Sequence, residues 1–264
     1  MIGAKYRAGA AWMLDAILDT IYPELCSLCG ASPLQVPWSD QGPSARGLRS
    51  WDRPHLCQSC LSGWQLRGPL VQDRMLTDGS ILRYIGAVPT TADLTRVIGV
   101  WKYHGVRGLA WPLAGLVSTA SSGFRLTGTL VPVPLHRRRR RERGFNQAAL
   151  LSDLLGRYLG IPVAGDLAAR VRNTGQQARL TSLEDRHANM TGTFAVKSAP
   201  QGPRPRLILV DDVVTSGATT GELALAFNRN GWQVSLVLTV GIGRDPGNKA
   251  RPVRLPVDTA LRPF

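Results

Sequence analysis

The segment from residue 206 to 241 constrains the fold more than any other part of the chain. Leu207, Ile208, Leu209 and Val210 form an unbroken apolar run. A strand with one wet face alternates apolar and polar residues, whereas an unbroken run suits a strand buried on both faces of a parallel sheet. A helical pattern follows over 220–229, with Thr219 and Glu222 spaced as a capping box and Gly231 placed to end the helix. Residues 234–240 are again apolar, so strand, helix and strand make one βαβ unit of ordinary size. Upstream, 82–88 and 129–133 read as strands and 91–103, 109–120 and 146–159 as helices. The last carries Ala149, Leu150, Leu154, Leu155 and Tyr158 on one side and stops at Gly160, with Pro162 just beyond. The expected fold class is α/β, with a mostly parallel central sheet covered on both faces.

The same segment carries the chemistry. Asp211 and Asp212 follow the apolar run directly. They fall at the carboxyl edge of a strand, where open α/β sheets bind ligands. Two adjacent carboxylates are unfavourable in a buried place unless something positive or hydrogen-bonding meets them. Thr215, Ser216, Gly217, Ala218 and Thr219 then form a small, hydroxyl-rich turn that opens a helix. Backbone N–H groups and the positive end of that helix make a phosphate site, and Gly217 lets the backbone approach closely. Sugar hydroxyls on the acids and a phosphate on the turn suit a ribose 5-phosphate. No P-loop pattern is present, and Gly241 and Gly243 follow a strand without opening a helix, so they are no dinucleotide fingerprint.

The four cysteines fall in two C-x-x-C pairs, Cys26 with Cys29 and Cys57 with Cys60. Each pair aims two thiolates at one point, and two pairs complete a tetrahedron around a soft-ligand metal, zinc by preference. With all four positions filled the zinc is structural. Disulfides are the competing reading, disfavoured without a secretory signal, and His55 is a substitute ligand close to Cys57. The stretch 31–56 between the pairs is rich in Pro, Gly, Ser and Trp and reads as a loop.

Charge divides the chain. Of 32 Lys and Arg against 18 Asp and Glu, the first 60 residues hold a balanced set, so the whole surplus of +14 lies later. A basic domain attracts phosphates, on a small molecule or on nucleic acid. The densest run is Arg137, Arg138, Arg139, Arg140 and Arg141, followed by Glu142 and Arg143, between a strand ending at Pro134 and a helix opening near Asn146. The chain divides into 1–66, a helix over 9–22 plus the cysteine module; 67–80, a linker; 81–243, the α/β domain; and 244–264, a basic, Pro-rich tail. No apolar stretch is long enough to span a membrane and none resembles a secretory leader, which makes the cytoplasm the expected compartment.

The string from Leu207 to Thr220 resembles the phosphoribosyl pyrophosphate (PRPP) motif of type I phosphoribosyltransferases. The Val-Pro-Val-Pro strand end at 131–134, the arginine run, the Arg143-Gly-Phe-Asn-Gln147 string, Lys102 to Gly105 and the two cysteine pairs are together similar to the ComF family. The resemblance spans nearly the whole chain apart from 31–54 and the tail. It is more distant to amidophosphoribosyltransferases. It implies a type I phosphoribosyltransferase fold behind a small zinc module. Asp211 and Asp212 become the catalytic pair on the ribose hydroxyls, and Thr215, Ser216, Gly217, Ala218 and Thr219 the 5′-phosphate site. Pro134, Leu135, His136, Arg137 and Arg143 become the pyrophosphate loop, and Gln176, Arg179 and Arg186 part of a flexible loop within 170–194. Magnesium would arrive with PRPP. Two functions stay open: transfer of the phosphoribosyl group to an unidentified acceptor, or a non-catalytic protein on the same fold binding single-stranded DNA or partner proteins in DNA uptake and competence. A second copy of the chain is a further partner that this reading admits.

Overall fold

The computed structural model describes residues 25–31, 55–65, 68–172, 192–199 and 205–243, and the backbone of 251–252. The expected helix at 9–22, nearly all of the 31–54 insert, the flexible-loop residues Gln176, Arg179 and Arg186 and most of the tail lie outside the described residues.

In chain order the elements are α1 (Gln58–Gln65), β1 (Leu70–Met75), β2 (Ile81–Pro89), α2 (Ala92–Tyr103), α3 (Ala110–Ser121), β3 (Thr129–Pro132), α4 (Arg137–Arg143), α5 (Gln147–Leu159), β4 (Ala168–Arg170), β5 (Phe194–Val196), β6 (Arg206–Val214), α6 (Ala218–Arg229), β7 (Gln233–Ile242) and β8 (Arg251–Pro252). One sheet has the order β3-β6-β7-β2-β1-β8, and β4 pairs with β5 in a separate two-stranded ribbon. The neighbours β3, β6, β7 and β2 run parallel, while β1 is antiparallel to β2 and to β8. The fold is therefore mixed α/β with a mostly parallel sheet, as expected.

The pleat of β6 explains why its apolar run is unbroken. Ile208 and Val210 join one core with residues of α2, α3 and α5, including Leu94, Trp101, Leu113 and Leu151. Leu207 and Leu209 join a second core with Leu223 and Phe227 of α6 and Phe194 of β5. Successive side chains of a strand point to opposite faces, so a strand between two cores needs apolar residues at every position.

Local signals position the helix ends. The side chain of Thr91 caps α2 by accepting from the Leu94 N–H (3.3 Å), and Lys102 sits in its last turn, where the helix dipole favours a cation. Asn146 caps α5 by accepting from the Ala148 N–H (3.1 Å) while its Nδ2 donates to the Val133 carbonyl (3.1 Å), which ties that helix start to the end of β3. No described helix is long and apolar enough to cross a membrane.

Two expectations are corrected. Residues 70–75, assigned to a linker because of Gly68, Pro69 and Gly79, form β1, paired from Leu70 with Gly86 to Met75 with Ile81; the glycines bound a hairpin. The capping box at Thr219 and Glu222 is not used. Helix α6 starts at Ala218 behind Gly217, whose φ of +72° puts it in the left-handed region, and the Glu222 carboxylate accepts from the Gly192 N–H (2.9 Å) instead. Among the described residues of the cysteine segment, Cys26, Leu56, Cys57, Leu61 and Trp64 belong to the same apolar cluster as Trp101 and Leu113.

Candidate functional site

Strand β6 does not stop at its acids but runs on to Val214. Asp211 and Asp212 therefore occupy consecutive strand positions, which face opposite ways. Asp212 turns toward α2, where Lys102 Nζ lies 2.7 Å from its Oδ2; the side chains are 21% and 11% exposed. The Asp212 backbone carbonyl accepts from Thr239 Oγ1 of β7 (3.0 Å). Asp211 instead lines a small, open hollow together with Val213, Val214 and every residue from Thr215 to Thr220. The structure thus brings Asp211 and Thr215, Ser216, Gly217, Ala218 and Thr219 together, and places Asp212 in an ion pair beside them.

Burial first, and then the charge of the adjacent Asp212, push the Asp211 carboxyl up to about 7, against the pull of Lys102, the Asp212 backbone N–H and Arg170. Arg170, on β4, is itself pushed down by burial and by repulsion from Arg139, and is pulled up by Asp211. Its guanidinium lies over the Phe194 ring, 5.7 Å from the centroid. Asp211, Arg170 and Arg139 thus share one electrostatic neighbourhood, supplied by β6, β4 and α4.

The turn is a close-packed backbone feature. Ser216 Oγ accepts from the Ala218 N–H (3.4 Å), and the Gly217 carbonyl accepts from the Gly221 N–H (2.7 Å) and from Thr220 Oγ1 (3.0 Å). Only glycine fits at 217: its φ is positive, and a Cβ would run into Arg74 Nη1 and sit 2.9 Å from the Tyr84 hydroxyl. The first N–H groups of any helix lack intrahelical partners, so the start of α6 offers donors at the mouth of the hollow.

The segment assigned to a pyrophosphate loop lies at the same sheet edge, because β3 is parallel to β6 and the Val133 N–H donates to the Val210 carbonyl (2.9 Å). Only Val133, Pro134, Leu135 and His136 are loop; the arginine run is helix α4. Arginine is a good helix former, Gly144 at φ +76° closes the helix, and three arginines occupy the last turn, which the dipole favours. His136 caps α4, its Nδ1 accepting from the Arg138 N–H (3.3 Å). Arg137, Arg138, Arg140 and Arg141 are exposed, and Arg138 pairs with Glu142 at 2.9 Å. Arg143 points elsewhere, over the Tyr103 ring (5.4 Å) with Nη1 donating to Gln147 Oε1 (3.2 Å).

The Sγ atoms of Cys26, Cys29, Cys57 and Cys60 all lie within 4.8 Å of one another, with Cys26 to Cys60 at 3.9 Å and Cys29 to Cys57 at 3.6 Å. A tetrahedron of thiolates around zinc at 2.3 Å has edges of about 3.8 Å, so the cluster could hold such a metal. His55 stands outside it, with its backbone carbonyl accepting from the Ser27 N–H (2.8 Å). Burial and the neighbouring thiols push the Cys60 thiol up.

Sequence reasoning passed over Arg74, Tyr84 and Arg170 and gave Lys102 no definite partner. Lys102, just before a helix end, carried a weak signal; Arg74 carried none, because its strand read as linker.

No protein-family model matches the chain. It is similar to the DNA utilization protein YhgH of Salmonella typhimurium, 31% identical over 222 residues, which cover 79% of this chain and 92% of that protein. It is 39% identical to competence protein F of Haemophilus influenzae over 109 residues, 41% of this chain, a match spanning about half of that relative (47%). Among solved structures, orotate phosphoribosyltransferase from Aeropyrum pernix overlays 69% of this chain and 92% of its own at 16% identity, with a TM-score of 0.32.

Proposed function

The chain belongs to the ComF family, the family of competence protein F and the DNA utilization proteins, and on that premise we propose that it binds PRPP with magnesium and transfers its phosphoribosyl group to an acceptor. The observation that supports this most is that Asp211 and the 215–220 turn line one hollow, a carboxylate for hydroxyls beside donors for a phosphate. In the reaction the bond from C1′ to the diphosphate oxygen breaks. A bond from an acceptor nitrogen forms, and the nitrogen's proton passes to the departing diphosphate. Magnesium would arrive with the substrate, held mainly by substrate oxygens and water, and would supply neutralisation of the diphosphate charge. The protein's own part is positioning and electrostatics: the turn anchors the 5′ end, Asp211 orients the ribose, and Arg170 and Arg139 set a positive field beside it. Cys26, Cys29, Cys57 and Cys60 hold a structural zinc that takes no part in the reaction.

PRPP with magnesium at about a hundred times its Kd is expected to raise the melting temperature by roughly 5–10 °C. The variant carrying Asp211→Ala and Asp212→Ala is expected to show no shift, although it melts cooperatively on its own. A parent protein whose melting PRPP leaves unmoved would remove the assignment.

A second reading rests on the exposed arginines of α4, of which Arg137, Arg140 and Arg141 flank the ion-paired Arg138 on one short helix. Such a cluster suits the backbone of single-stranded DNA. Replacing Arg137, Arg138, Arg140 and Arg141 by alanine should weaken binding of a single-stranded oligonucleotide. The log–log salt slope should fall by about 3, near 0.7 for each phosphate that the variant leaves unneutralised. An unchanged slope dismisses α4 as the nucleic-acid surface.

A further inference from the structure

Against the 215–219 turn, outside the residues that line its hollow, lies a cation brought in by an unexpected strand. Arg74 of β1 donates from Nη2 to the Thr215 carbonyl (2.9 Å) and to Gln72 Oε1 (3.1 Å). Its guanidinium lies over the Tyr84 ring, 5.0 Å from the centroid. The Tyr84 hydroxyl in turn shares a hydrogen bond with Thr220 Oγ1 (3.1 Å) in the first turn of α6. Arg74 therefore touches the turn at both ends, at Thr215 directly and at Thr220 through Tyr84. Between these two points its Nη1 fills the space that a side chain on Gly217 would need.

We propose that Arg74 is a binding determinant of this turn, a fixed positive charge against the backbone that makes the turn select a doubly charged phosphate monoester. The inference rests on the phosphate reading of the turn and extends it to a residue and to an ionic form. Three features support it. Of the cations near the acids, Lys102 is committed to Asp212 at 2.7 Å, and Arg170 lies over the Phe194 ring with Asp211 as its partner in charge. The exposed arginine cluster of α4 lies on the β3 side of β6, whereas Arg74 comes from β1 on the β2 side. A guanidinium held by a carbonyl, an amide oxygen and a ring face is fixed in place, so its field costs no reorganisation when an anion arrives. A dianion gains about twice as much from such a charge as a monoanion does.

The test compares two ligands at one pH, so that no titration of Asp211 enters. At pH 8 ribose 5-phosphate is a dianion and ribose 5-sulfate, of nearly the same shape, a monoanion. Calorimetric titration of the full chain is expected to give the phosphate at least a tenfold lower Kd. In Arg74→Met that ratio should collapse to about two, while Arg74→Lys, which keeps the charge but loses the fork, should retain most of it. A merely structural role predicts something different: both variants weaken both ligands alike and the ratio stays at its parent value, which overturns the inference. The lysine variant also answers the case in which the methionine variant fails to fold, since a ratio near one with the charge retained would equally overturn it. A parent protein that binds neither ligand sinks the phosphate reading of the turn itself and the Arg74 inference with it.

Discussion

Stripped of metal by a strong chelator, the protein is expected to melt at least roughly 10 °C lower and to shift its tryptophan emission to the red. Cys57→Ser should do the same. A four-thiolate zinc site contributes on the order of 10 kcal/mol to the folding of small metal-bound modules. What makes the effect large here is where the site sits. Cys26 and Cys57 are buried in the same apolar cluster as Leu56, Leu61 and Trp64, and that cluster continues without a break into Trp101 of α2 and Leu113 of α3. Loss of the metal leaves four sulfurs between 3.6 and 4.8 Å apart with nothing between them. The α1 segment then unseats, and the cavity it leaves opens onto the core of the sheet. Trp64 reports the change because it is only 5% exposed in the intact protein. The same experiment separates metal from disulfide, since a chelator has no effect on an S–S bond. Unchanged melting and emission after complete chelation would mean that no metal holds this end of the chain.

What the sequence made legible was governed by local rules. The unbroken run at Leu207 to Val210 can satisfy only a strand between two cores, and it packs on both. The helices read over 91–103 and 146–159 were legible for a similar reason, since Thr91 and Asn146, at which they open, bond within three positions of themselves. The turn around Gly217 was legible for the same reason. What escaped depended on pairing over long separations. Strand β1 exists because β2 lies ready to pair with it, although Gln72, Asp73 and Arg74 give it no apolar alternation. The capping box failed because tertiary partners prevailed over it: Gly217 turns the chain two residues earlier and Glu222 serves Gly192. The arginine run read as a loop because charge was weighed above helix propensity, yet its ends carry ordinary caps. The partition of the acids was the least legible part. Adjacency in sequence suggested a pair acting together, whereas the pleat gives one to the hollow and the other to Lys102.

That partition makes Lys102→Met a sharp test. Removal of the ammonium strands a carboxylate that is only 11% exposed, and breaking a largely buried pair by deleting one partner costs about 3–5 kcal/mol. At neutral pH the melting temperature should fall by roughly 10 °C. The pH dependence identifies the cause. Burial and Asp212 hold the folded Asp211 near 7, against an ordinary value of 3.8, so the folded state binds the proton more tightly than the unfolded chain does. Stability from that proton is fully present below about 4 and is lost as pH rises toward 7, because between those values the unfolded state is the first to release it. Lys102 is one of the groups that limits the upward push on Asp211. Without it Asp211 moves higher still, and the loss of stability extends to more alkaline pH. The melting difference between parent and variant should therefore be smaller at pH 5, where Asp211 holds its proton and does not repel Asp212, and greatest near pH 8. Asp212→Asn added to Lys102→Met should recover most of the deficit, since it removes the charge that the lysine was neutralising. A deficit constant from pH 5 to pH 8, or one that the second substitution fails to relieve, would mean that Lys102 contributes by packing its aliphatic chain rather than by holding the charge of the acids.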